Sequence, residues 1–256
     1  MTFSQLVTSP WFVAALFFVI AYAYSSVGLG GGSTYTALLA VLGFNNLTIP
    51  MVSLVLNLVV SAVGSFNFIR ERHARFSLVL PFLLSSIPMA YLGGSLQIPR
   101  ELFYWVLLLS LMFVALRLYV WKSTSLRLNL TAGRRLAVSL VIGAVLGLLS
   151  GIVGIGGGIY LVPLIVILGL GTIKEAAACG AIFIWLNSLS GLAARLQYNA
   201  IDFSDYIPVV FAVLLGGALG SFMGAGRYSP QTMERVLGVV VMVAIVLLLG
   251  KVWPGL

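Results

Sequence analysis

The sequence predicts an all-α polytopic membrane protein built from two inverted-topology repeats of about five helical segments each. Each repeat holds a glycine-broken half-helix near the bilayer midplane. Three observations carry this reading: an apolar composition, a duplicated glycine string and a one-sided distribution of basic residues. Of 256 residues, 61% are hydrophobic and 8% charged, and the mean hydropathy is +1.14. A soluble domain is about one quarter charged, so this chain cannot coat a water-facing surface. That excludes a soluble enzyme, a disordered chain and a nucleic-acid binder, and makes the lipid bilayer the predicted surrounding.

A crossing helix needs roughly 20 apolar residues. Charged and turn residues cut the chain into candidates at 10–27, 51–69, 77–97, 101–121, 136–153, 176–198, 206–224 and 233–253. Residues 1–9 hold no Lys or Arg. The basic start of a cleaved leader is missing, so the first candidate reads as a retained helix. Two apolar pieces, 33–44 and 158–170, are too short to cross comfortably, and each follows a glycine cluster.

Those clusters are the repeat. Val27-Gly28-Leu29-Gly30-Gly31-Gly32 returns 126 residues later as Val153-Gly154-Ile155-Gly156-Gly157-Gly158. Of the 18 pairs that align 27–44 with 153–170, 8 are identical. Leucine and valine matches are cheap in apolar sequence; a repeated V-G-[LI]-G-G-G is not. Further on, Asn57 pairs with Asn187 at an offset of 130, and Gly94-Ser95 with Gly220-Ser221 at 126. The halves are then 1–121 and 136–256, joined by a basic linker at 122–135.

Five segments per half is an odd number, so the second half runs inverted. The basic residues fit that count. One side collects Arg70, Arg72, Arg75, Arg117, Lys122, Arg127, Arg134, Arg135, Lys174, Arg227 and Arg235, and the other only Arg100 and Lys251. Eleven against two assigns the first side to the cytoplasm and both termini to the outside. Asp202 and Asp205 fall outside as well.

Irregular backbone at membrane depth is tolerated where protein or a water-filled cavity surrounds it. After the first cluster come Ser33 and Thr34, both good N-cap residues. A helix starting there presents free N–H groups and the positive end of its dipole, which suits an anion. Two such ends, one per repeat, would converge on a single small anion. The alternative is tight helix packing on small residues; a matched pair of clusters, each before a short segment, favours a site.

Few polar residues lie within spans. Asn57 and Asn187 either bridge helices or donate to a ligand. Arg195, near the outer end of 176–198, either clamps an anion, snorkels to the interface or pairs with Asp202. Tyr22, Tyr24, Tyr35, Tyr160 and Tyr198 line a cavity or form interfacial belts.

Absences narrow the function. All six carboxylates, Glu71, Glu101, Glu175, Asp202, Asp205 and Glu234, fall in loops or at span ends, which argues against a buried acidic proton relay. One cysteine, Cys179, and one histidine, His73, preclude a thiolate cluster or His-rich metal site. No P-loop, G-x-S-x-G or H-E-x-x-H string is present. The sequence therefore predicts no cofactor, no metal and no catalysis.

The strings S-V-G-L-G-G-G-S at 26–33 and G-I-V-G-I-G-G-G at 151–158, each before a short apolar run ending in L-G, resemble the sulfite exporter TauE/SafE family. The length, the basic central loop and the two-half organisation fit as well. The resemblance implies a multi-pass protein of the bacterial inner membrane that moves a small sulfur-containing anion, usually outward: sulfite, thiosulfate or an organosulfonate such as sulfoacetate. One departure is Ala37, where the second repeat has Pro163. The candidate substrate-binding set is Gly30, Gly31, Gly32, Ser33, Thr34, Asn57, Gly156, Gly157, Gly158, Tyr160, Asn187 and Arg195. The rivals of another class are a membrane scaffold, in which the glycines only pack, and an ion channel.

Overall fold

The structure is a computed structural model that describes residues 10–41, 44, 47–96, 98–99, 101–102, 105–106, 108–109, 112, 132–198, 206–229, 231–233, 235–236, 238–239, 242 and 245–246. The linker at 122–131, the Asp202–Asp205 loop and both termini lie outside the described residues. Eight helices can be followed: α1 Pro10–Ser25, α2 Gly32–Val41, α3 Thr48–Arg70, α4 Phe76–Ser95, α5 Ala132–Val153, α6 Gly158–Ile167, α7 Ile173–Leu196 and α8 Ile207–Phe222. A π-helical turn, Met223–Arg227, extends α8. The described residues of 101–112 and 231–246 that follow each half's fourth helix are mainly helical. Among the described residues there is no strand.

Five segments are long and apolar enough to cross a bilayer: Thr48–Arg70, Phe76–Ser95, Gly133–Val153, Ile173–Leu196 and Ile207–Arg227. Their outward faces are apolar, with Phe66, Leu84 and Val141 all exposed, as a lipid solvent requires. The protein is a multi-pass membrane protein. α3 starts three residues before the sequence-based estimate, because Pro50 is tolerated in a helix's first turn. The start of α7 has a capping box: Thr172 Oγ1 accepts from Glu175 N, and Glu175 Oε2 accepts from Thr172 N.

α3 and α7 form the centre. Buried residues make up 67% of the α3 window and 72% of the α7 window, against 33–39% for α4, α5 and α8. The two central helices run antiparallel. A Cβ built on Gly64 would touch Ala181, and one built on Gly191 would touch Leu54. Two glycine seams flank this pair, and each joins one half of the chain to the other. Gly143, Gly147 and Gly151 of α5 lie on the backbone of Phe82, Ser86 and Ala90 of α4. Gly216 and Gly220 of α8, with Gly224 just beyond it, lie on Phe18, Tyr22 and Ser26. Residue numbers rise together along both seams, so each pair is parallel.

Among the described residues, basic groups gather at one end of the bundle. His73 Nε2 and Lys174 Nζ both donate to Ala225 O at 3.0 Å, and Arg75 pairs with Glu175 at 3.7 Å. Arg70 and Arg227 lie over the Phe222 ring. Because α5 runs parallel to α4, Arg134 and Arg135 sit at this same end.

Candidate functional site

α2 and α6 are ten residues each, about 15 Å long, half the thickness of a bilayer core. They begin and end at an offset of 126, so Pro163 inside α6 changes neither the length nor the start of its helix relative to α2. Each follows a glycine break with two left-handed residues at matching positions, and the second break has a third, Gly156 at +80°, where Gly30 is not left-handed. Gly28 and Gly31 have φ of +76° and +94°; Gly154 and Gly157 have +80° and +78°. This left-handed region is open to glycine at no steric cost.

The start of each half-helix corrects the sequence reading. The Gly31 carbonyl accepts from the N–H groups of Thr34 and Tyr35, and the Gly157 carbonyl from those of Tyr160 and Leu161. The half-helices therefore begin at Gly32 and Gly158, and neither Ser33 nor Thr34 is an N-cap. Both sit in the first turn of α2, where their hydroxyls bond to the Tyr24 hydroxyl of α1 at 2.7 and 2.5 Å.

The two breaks meet between α3 and α7. Gly28 packs on Ala177 of α7, Gly154 on Pro50 of α3, and Gly32 on Ile155 of the other break. Asn57 bridges them. Its Nδ2 donates to Gly154 O at 3.2 Å, while its amide lies over Gly30 and Gly32. Asn57 is fully buried, and its Oδ1 has no hydrogen-bond partner. On the second break Ser188 Oγ faces Gly156, 3.1 Å from where a Cβ would sit. It too is buried and without a partner. Ile184 stands between: its side chain touches the Cβ positions of Gly30, Gly156 and Gly158. The centre is closed in this arrangement, with side chains packed directly on glycine backbone.

Gly30, Gly31, Gly32, Ser33, Thr34, Asn57, Gly156, Gly157 and Gly158 are thus gathered in one buried layer. Three candidates behave differently. Asn187 does not occupy the place that matches Asn57; Ile184 does, since it covers Gly156 and Gly158 as Asn57 covers Gly30 and Gly32. Asn187 Nδ2 bonds back to Phe183 O, and its Oδ1 is buried without a partner. Tyr160 is buried against the core and lines an apolar cleft of about 570 Å³ with Leu146, Leu149 and Leu164. Arg195 does not snorkel. It is 5% exposed, and its Nη2 donates to Gly151 O and Ile152 O, both at 2.8 Å, at the end of α5 just before the second break. A guanidinium there satisfies terminal carbonyls and complements the negative end of the helix dipole.

Sequence reading missed Ser188 and Ile184. Ser188 carried a faint sign, a second polar residue beside Asn187 in an apolar run. Ile184 carried none.

Two half-helix starts, each behind a left-handed glycine and packed with buried polar groups at the bundle centre, suit a solute that passes between them. The family described as sulfite exporter TauE/SafE matches residues 13–248. The chain belongs to the TauE/SafE family. Among relatives, a probable membrane transporter protein, y4hK, of Sinorhizobium fredii is 34% identical over 91% of this chain and 95% of its own length. A probable membrane transporter protein, YjnA, of Bacillus subtilis is 23% identical over 85% of this chain and 91% of its own length. No solved structure matches. TauE/SafE membership makes this a membrane transporter.

Proposed function

We propose that the protein is a secondary transporter of a small sulfur-containing anion: sulfite, thiosulfate or an organosulfonate such as sulfoacetate. The single observation that supports this most is Asn57, a fully buried amide that ties one glycine break to the other and keeps an unpartnered oxygen between them. The family's name supplies the sulfur chemistry. The anion would bind at Gly30–Thr34 and Gly156–Gly158, with Asn57 and Asn187 beside it. Arg195 would support the second break, and Tyr160 would pack behind it.

In this reading the halves, 1–121 and 136–256, are inverted repeats that rock against each other to give alternating access. The pairing of helices supports it. α1 packs parallel on α8, and its counterpart α5 packs parallel on α4. The counterparts α3 and α7 cross antiparallel, as two elements related by an in-plane two-fold axis would. The protein would sit in the bacterial inner membrane with both termini outside. With no acid among the described mid-span residues, the substrate gradient and the membrane potential would drive the anion outward from a negative interior.

Purified protein in liposomes, tested against sulfite, thiosulfate, sulfoacetate, taurine, sulfate, chloride and sodium, should show saturable flux of one sulfur anion. Asn57→Leu should reduce that flux at least about tenfold, equivalent to the loss of one buried polar contact, while the purified protein still elutes as a folded species. Silence across the panel from folded wild-type protein would return the glycines to packing devices. Orientation is checked separately. A cysteine placed at Asp202 should label from outside and one at Arg72 should not; the native Cys179 is buried.

A further inference from the structure

The hydrogen-bond bookkeeping around Asn57 says more about the ligand than its charge. Gly154 O fixes the orientation of the amide: Nδ2 donates to it at 3.2 Å, and a flipped amide would set Oδ1 against that carbonyl. The group presented to Gly30 is therefore Oδ1, an acceptor with no partner. Asn187, away from the place that matches Asn57, spends Nδ2 on Phe183 O of its own helix and also leaves Oδ1 buried and unpartnered. Ser188 Oγ at Gly156 and Tyr35 OH beside Gly31 are further buried, unpartnered groups at the breaks. The half-helix starts supply N–H donors, and the Ser188 and Tyr35 hydroxyls can donate or accept, but the Asn57 oxygen can only accept.

A fully deprotonated oxyanion carries only acceptors. It would satisfy the N–H groups and face the Asn57 oxygen lone pair to lone pair. Leaving a buried acceptor unpaired is costly, which is why a site built to bond a hydroxyl rejects the analogue lacking it. Charge points the same way. The cost of taking an ion out of water grows with the square of its charge, and the guanidinium of Arg195 already serves two carbonyls of α5.

Resting on the transport reading above, we infer that the substrate is a monoanion bearing its own hydrogen-bond donor, an acid proton or a hydroxyl, which it gives to Asn57 Oδ1. The hydrogen sulfite ion is one such species and a hydroxyalkanesulfonate another. The sulfite dianion and simple alkanesulfonates are not.

Two pairs of near-isosteric monoanions test this in proteoliposomes. At mildly acidic pH, hydrogen sulfite is compared with methanesulfonate, which distinguishes an acid proton. At neutral pH, 2-hydroxyethanesulfonate is compared with ethanesulfonate, which distinguishes a hydroxyl. In at least one pair the donor-bearing member should move on the order of ten- to a hundredfold faster. Asn57→Leu should bring that ratio towards one, and Asn57→Ser, which keeps an oxygen, should restore part of it. Ser188→Ala, a milder change, should lower the ratio without loss of folded protein.

Equal flux within both pairs overturns the inference while leaving anion transport intact. So does a preference untouched by both Asn57→Leu and Ser188→Ala. A sodium requirement without discrimination would assign the oxygens to a cation and likewise overturn it. If folded protein moves none of the four anions, the transport reading fails and takes this inference with it.

Discussion

Gly147→Val is expected to break the seam between α4 and α5 and to lower the stability of the purified protein by on the order of 3 kcal/mol. A Cβ at Gly147 would overlap the Ser86 carbonyl oxygen and crowd the Ser86 Cα. The obstacle is backbone on a parallel helix rather than the far end of a flexible side chain. Relief requires the helices to separate along a contact that also includes Gly143 on Phe82 and Gly151 on Ala90. Overpacking typically costs about 1–3 kcal/mol, and more where backbone must move. Thermal unfolding in detergent should show a fall of roughly 6–12 °C. The control is Gly133→Ala in the same helix, where a Cβ meets nothing within 4 Å. It should be neutral, or stabilising by up to about 1 kcal/mol through helix propensity. Equal melting temperatures for Gly147→Val and Gly133→Ala would mean that α4 and α5 are not packed this way.

Arg195→Met is expected to destabilise the protein by about 3 kcal/mol, chiefly by stranding the end of α5. Its Nη2 serves the Gly151 and Ile152 carbonyls at 2.8 Å. Each buried acceptor left unsatisfied costs about 1–3 kcal/mol, and a cation at a helix C-terminus adds up to about 2 kcal/mol. Arg195→Lys keeps the charge but not the planar fork, so it should recover part of the loss. The measurement that separates structure from binding is stability beside KM. A capping role lowers the melting temperature of the protein without substrate. A purely substrate-holding role would raise KM and leave that melting temperature unchanged.

The same contrast runs through the rest of the site. The glycine strings were legible because glycine is costly in apolar helices and its recurrence at a fixed offset is rarely accidental. Their matched left-handed residues and equal half-helices agree with that reading. The N-caps were misplaced because Ser33 and Thr34 are good caps by composition, whereas Gly31 reaches the needed φ of +94° and its carbonyl takes the first N–H groups. The hydroxyls were then free to bond Tyr24, a contact set by how α1 packs on α2. Asn57 was identifiable as an amide in an apolar run. Its supposed mate, Asn187, was matched by residue type. Helix geometry places Ile184 instead against the second break, a choice invisible to identity counting.

By itself the sequence determined the solvent, the approximate positions of the five crossing helices among the described residues, the two breaks and the family. Those features depend on composition, period and local backbone freedom, all properties of neighbouring residues. Only the tertiary structure decided that the halves interlock along two parallel glycine seams and that Arg195 caps α5. It also decided that Asn57 turns an acceptor oxygen toward Gly30. These depend on which backbone atoms come within contact across more than 40 residues of chain, and packing, rather than local preference, sets that.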